Sequence, residues 1–119
     1  MKILCLTPIK HLNGVYDYLK SFGTVDYHPD IGKINVHNLI KSFDYDMIFC
    51  NPNKQNYKLN EYTLKYFSGT ILTASTGLNH IDIDYCNEKG IKVMSHKEDM
   101  ELLNELPSFY QVYHTQLIQ

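Results

Sequence analysis

Residues 70–93 read Thr70-Ile71-Leu72-Thr73-Ala74-Ser75-Thr76-Gly77-Leu78-Asn79-His80-Ile81-Asp82-Ile83-Asp84-Tyr85-Cys86-Asn87-Glu88-Lys89-Gly90-Ile91-Lys92-Val93, and this stretch decides the fold. Thr70–Thr73 is short, apolar and β-prone. Ser75-Thr76-Gly77 then supplies a small-residue loop. A helix is predicted over about Asp82–Glu88, with acidic residues at its start and Gly90 at its end. A second strand follows at Ile91–Met94. Such a βαβ unit leaves its loop at the carboxyl edge of a parallel sheet. Open α/β sheets bind ligands at that edge, where unpaired loop N–H groups can hold an anion.

Outward from this unit the same grammar repeats. Lys2–Leu6 is an apolar strand stopped by Pro8, and Asn13 is the expected cap of a helix running to about Ser21. Val15, Tyr18, Leu19 and Phe22 share one face of it. Thr24–Tyr27 is a second strand. Asn35 is expected to cap a short helix with Val36, Leu39, Ile40 and Phe43 inward. Asp46–Cys50 is a third strand with an apolar centre, as a sheet covered on both faces requires. A helix over about Leu59–Phe67 should turn Leu59, Tyr62, Thr63, Tyr66 and Phe67 inward, with Leu64 on its flank. Five strands and four intervening helices predict an α/β, flavodoxin-like, doubly wound parallel sheet of order 2-1-3-4-5 with helices on both faces.

Composition narrows the class. A chain of 119 residues has room for one domain and one core. Net charge of -2, with lysines scattered along the chain, gives no reason to invoke nucleic acid or an anionic membrane. No apolar run approaches the ~20 residues of a membrane span, and Thr7 and Pro8 break the apolar start where a leader would continue. Cys5, Cys50 and Cys86 form no C-x-x-C pair, so they read as reduced, buried thiols in a cytoplasmic protein. Six isolated histidines give no metal-ligand spacing.

Gly77-Leu78-Asn79-His80-Ile81-Asp82, followed by Lys89-Gly90-Ile91-Lys92-Val93, resembles the substrate-loop signature of D-isomer-specific 2-hydroxyacid dehydrogenases, the phosphoglycerate dehydrogenase-like family. The resemblance is recognisable in wording over about residues 70–95 and in organisation over residues 1–108. It implies that backbone N–H groups of Thr76, Gly77 and Leu78, with Asn79 beside them, contact the carboxylate of a small 2-hydroxy or 2-oxo acid. It also implies that the loop Asn51-Pro52 faces the same cleft. The Arg-Ser pair that some members of the family carry there is missing, which puts phosphorylated substrates in doubt. Lys54 offers a charge to an anion, or is an ordinary solvated lysine.

The resemblance also shows what these residues lack. There is no GxGxxG, and all 11 basic residues are lysines, so the family's carboxylate-clamping Arg is absent. The family's acid/base His and its carboxylate partner have no counterpart, since His80 stands at a helix entry where a capping or half-buried role is expected. The expectation is therefore a partial substrate-binding (catalytic) domain at 1–108, with no catalytic residues, no cofactor site and no metal site. NAD is implied only for the complete family enzyme. Residues 109–119 depart from the family's crossing-helix wording and read as a non-matching, truncated tail. Missing domain contacts imply self-association or pairing with an NAD domain. The alternative is a stand-alone flavodoxin-like binding or interaction module without catalysis. A phospho-receiver, a flavodoxin and an α/β-hydrolase are excluded by missing acidic pairs, phosphate loop and G-x-S-x-G elbow.

Overall fold

The computed structural model describes residues 1–51, 55–74, 78–95 and 106–118. Five parallel strands, β1 (Lys2–Cys5), β2 (Thr24–Tyr27), β3 (Met47–Cys50), β4 (Thr70–Thr73) and β5 (Lys92–Met94), form one sheet of order β2-β1-β3-β4-β5. Helices α1 (Val15–Lys20), α2 (Lys33–Ser42), α3 (Glu61–Leu64) and α4 (Ile83–Lys89) connect them, and α5 (Leu106–Ile118) follows. The expected flavodoxin-like order is the one observed.

The period-2 alternation of each strand feeds two cores. Ile3, Cys5, Met47, Phe49 and Leu72 point to one face, where Val15 and Leu19 of α1 and Phe109 and Tyr113 of α5 cover them. Leu4, Leu6, Ile48, Cys50 and Ile71 point to the other, under Val36 and Ile40 of α2, Leu64 of α3 and Cys86 of α4. Strand order reverses direction between β1 and β3, so right-handed crossovers place α1 and α2 on opposite faces. That reversal is the topological switch point.

Local chemistry shifts several element boundaries. Asn13 does not cap α1; Gly14 does, in the left-handed region at φ 76, where lack of a Cβ removes the steric penalty. Asn35 lies inside α2, which starts after Gly32 with no side-chain cap. The chain turns extended at Phe43, so its ring leaves the helical face and sits 4.3 Å from Lys2 Nζ. The helix expected over Leu59–Phe67 shrinks to Glu61–Leu64, because Asn60 closes a capping box with Thr63. Leu59 instead bridges to Ile81. Leu59, Thr63 and Phe67 are buried as expected and Leu64 joins them, but Tyr62 and Tyr66 turn outward, at 44% and 48% exposure, against the expected inward face.

Asn60 Oδ1 accepts from the N–H groups of Tyr62 and Thr63, while Asn60 N–H donates to Thr63 Oγ1 at 2.8 Å. In so short a helix that cap is most of what defines the start. Asn60→Ala should therefore cost about 1 kcal/mol in urea unfolding, and an unchanged midpoint would show that the cap adds nothing.

The tail is part of the fold. The expected boundary at residue 109 falls inside α5, and Phe109 and Tyr113 are 0% and 1% exposed. Both rings meet Phe49 edge-on at 5.2 Å. The stretch 95–104, charged and helix-compatible in sequence, lies from residue 96 on outside the described residues.

Candidate functional site

The carboxyl edge gathers the ends of β1, β3 and β4. Ala74 follows β4 and donates its N–H to the Cys50 carbonyl at 2.9 Å, prolonging the β3–β4 ladder by one bond. Thr76 and Gly77 lie outside the described residues. Leu78 begins a turn closed by the Ile81 N–H on the Leu78 carbonyl at 3.0 Å. Asp82 then caps α4, its carboxylate accepting from Tyr85 N–H at 3.1 Å. Gly90 ends that helix at φ 82, the left-handed C-cap expected of it.

Leu78 and Asn79 line an open cleft of about 610 Å³ with Lys58, Asn60, Ile81 and Asp82. Lys58 is the ammonium on this wall, and Asp82 and Asp84 bring carboxylates to it. Side-chain charge alone therefore does not select an anion here. Selectivity for a carboxylate would have to come from loop N–H groups, whose dipoles are fixed by backbone geometry. A second cleft, of about 450 Å³, runs between residues 29–32 and Gln55, Asn56 and Tyr57 on the β2–β3 side.

Asn51 is not brought into either cleft. It is 4% exposed, and its Nδ2 donates to the Tyr113 hydroxyl at 2.9 Å. Tyr113 thus fills the space beside the β1–β3 switch point, and the neighbouring His114 reaches the Ala74 backbone. Sequence reading missed Tyr113 because its partner lies 62 positions away; the only local signal is its i, i+4 spacing from Phe109. Pro52 and Lys54 lie outside the described residues.

His80 is a buried polar group at this edge, 8% exposed. The expected half-buried role is exceeded: Nε2 lies 3.0 Å from Thr73 Oγ1 and 3.9 Å from Cys50 Sγ. Burial pushes the Cys50 thiol up to about 12, so it stays protonated near neutrality and is no nucleophile. Burial also lowers the pKa of His80 and of His114 below the ordinary 6.5. Between the folded and unfolded values the unfolded chain binds more protons. Stability is then fully present above about pH 6.5 and falls as the pH drops toward the folded values. Urea unfolding at pH 7.5, 6.5 and 5.5 should show this decline, and His80→Gln should flatten it. An equal slope in the variant would place the effect on other groups.

Among the described residues no group of three or more His, Cys, Asp or Glu side chains could hold a metal ion. Among them, too, no helix is long and apolar enough to cross a membrane.

A doubly wound parallel sheet of this order, with loops and clefts at its carboxyl edge, defines an α/β domain of flavodoxin-like topology. The chain belongs to the D-isomer specific 2-hydroxyacid dehydrogenase family: the model of that family's catalytic domain matches residues 4–100. Solved structures share the fold. A glyoxylate reductase from Paecilomyes thermophila is 22% identical with a TM-score of 0.68, over 80% of this chain and 31% of that one. An NAD+-bound 3-phosphoglycerate dehydrogenase from Entamoeba histolytica is 24% identical with a TM-score of 0.63, over 80% of this chain and 32% of that one. D-lactate dehydrogenase from Aquifex aeolicus, complexed with NAD and lactic acid, is 21% identical with a TM-score of 0.56, over 81% and 28%. The chain thus spans less than a third of the length of each. No match is found among curated proteins.

Proposed function

We propose that this chain is the substrate-binding wall of an NAD-dependent oxidoreductase acting on the CH–OH group of 2-hydroxy acids. The carboxylate of a small 2-hydroxy or 2-oxo acid would sit on the backbone N–H groups of Thr76, Gly77 and Leu78, with Asn79 beside them. Asn51 and Pro52 would border the same edge, Asn51 through its fixed backbone, since its amide is held by Tyr113. The observation that carries this reading is the family match over residues 4–100, which includes the whole loop.

The residues present do not fit a nicotinamide site, because none of the six glycines forms a dinucleotide fingerprint. They also supply no Arg for the acid group. What these 119 residues can do is orient a carboxylate and wall off one side of a cleft. Proton and hydride movement would need groups from an NAD domain, which is the partner this reading implies. On this account the 1–108 substrate unit extends through α5, and these residues alone are silent in turnover. Three free, buried cysteines suit a reducing cytoplasm.

Calorimetric titration with glyoxylate, pyruvate and hydroxypyruvate, with and without NADH, tests the proposal. Binding of an oxo acid that does not depend on NADH supports it. Silence toward all three at millimolar concentration would favour a non-catalytic interaction module instead.

A further inference from the structure

The loop after β1 carries a polar arrangement that the carboxylate reading does not use. Ile9 and Lys10, consecutive in sequence, both donate their backbone N–H groups to the Tyr27 hydroxyl, at 2.9 and 3.2 Å. Successive N–H groups converging on one point are a geometry that can cradle an anion, and here the phenol oxygen fills it. Having accepted twice, that oxygen has its proton left to offer. Among the described residues it donates to no acceptor. Hydrogen bonds in series polarise one another, so a hydroxyl that accepts two N–H groups is a stronger donor.

Positive charge gathers at the same place. Lys10 Nζ stands 4.7 Å from the Tyr16 ring centre and 4.9 Å from that of Tyr27, and Lys20 Nζ stands 5.3 Å from Tyr16. The two rings meet edge-on at 5.5 Å. Both tyrosines are half-buried and both lysines exposed. Asp17 is the one carboxylate that α1 sets against them. Tying the loop to β2 explains the two accepted hydrogen bonds. It does not explain the remaining proton or the two ammonium groups. Thr7-Pro8-Ile9-Lys10 lacks the small residues of a phosphate loop, so side chains must carry any binding here.

We propose that the Tyr27 hydroxyl and the Lys10 and Lys20 ammonium groups form a site for the phosphoryl group of a small phosphomonoester. Three donors suit its three terminal oxygens, and two ammonium groups match its two charges. The site lies at the carboxyl ends of β1 and β2, with β3 between it and the loop after β4. It stands independently of the carboxylate reading, since it shares no residue with that loop.

The test is an amide-resolved NMR titration of the chain with inorganic phosphate and with methyl phosphate at constant ionic strength. Saturable shifts at Ile9, Lys10 and Tyr27 are expected with both, while glyoxylate should leave these amides unmoved. Lys10→Met and Tyr27→Phe should each weaken phosphate about tenfold, the worth of one hydrogen bond to a charged group. Phenylalanine keeps the ring against the loop amides and so isolates the hydroxyl. Lys41→Met, on α2 across the sheet, should change nothing. Absence of saturable shifts with methyl phosphate would overturn the proposal, as would glyoxylate moving the same amides as strongly. Native-like or tighter binding in Tyr27→Phe would overturn it too, as would native-like binding in Lys10→Met or an equal loss in Lys41→Met. If Tyr27→Phe loses its folded amide pattern, Lys10→Met, at an exposed position, decides.

Discussion

Phe109→Ala should lower the unfolding free energy by about 3–5 kcal/mol, the usual range for removing a fully buried phenylalanine. The ring is 0% exposed and meets Phe49 at 5.2 Å, Tyr18 at 5.9 Å and Phe22 at 6.1 Å, each near a T-shaped arrangement. Truncation loses the transfer free energy of the ring and leaves a cavity between α5, α1 and β3. A domain of this size has only about 5–15 kcal/mol to lose. Leu117→Ala, at a position 37% exposed on the same helix, should fall within about 0.5 kcal/mol of the native chain. Urea unfolding of the two variants checks both values. A cost below about 1 kcal/mol for Phe109→Ala would mean that α5 does not complete this core.

Gly77→Val should abolish detectable binding of 2-oxo acids while leaving urea stability nearly unchanged. Gly77 is the one residue of the 75–79 loop without a Cβ, so it permits the closest approach of backbone to ligand and the widest choice of φ. Valine adds a branched side chain, which on the carboxylate-loop reading would crowd the ligand, and restricts the backbone toward β geometry. Binding through loop amides depends on all donors reaching the ligand at once, so a single block removes most of the affinity. Retained glyoxylate binding in the variant would show that the anion is held elsewhere. A large loss of stability would mean that Gly77 serves the turn, not the ligand.

Much of the architecture was legible because parallel strands covered on both faces announce themselves. Met47-Ile48-Phe49 and Ile71-Leu72 are apolar runs in β-prone surroundings, and Gly90 marks the end of α4 as read. Helix faces were harder. Over residues 59–67 the spacing of Leu59, Tyr62, Thr63 and Tyr66 fits a helix, but Asn60 makes a better cap than Leu59 makes a first turn. That shift by one or two positions exchanges Leu64 for Tyr62 and Tyr66 at the core. The starts of α1 and α2 also shifted, to Gly14 and Gly32, neither with a side-chain cap.

The packing of the tail was hidden for a different reason. Measured against family wording, residues 109–119 do not match, yet Phe109 and Tyr113 fall four apart and suit a half-buried helix. Packing tolerates such replacement of wording when volume and period are kept. The candidate site was legible only as a loop: Gly77 and Asn79 stand in one motif. The links that shape its surroundings, Asn51 to Tyr113 and Thr73 to His80, join side chains whose pairing no local pattern specifies. Asn51, expected to border the cleft, has its amide on the Tyr113 hydroxyl, a contact no local pattern foretells.

The most direct test of the central claim is an amide-resolved NMR titration of this chain with glyoxylate. The account predicts saturable shift changes concentrated in residues 74–79, with β2 and the 29–32 segment silent. Changes centred on the cleft between 29–32 and Gln55–Tyr57, or no changes at millimolar ligand, would contradict it.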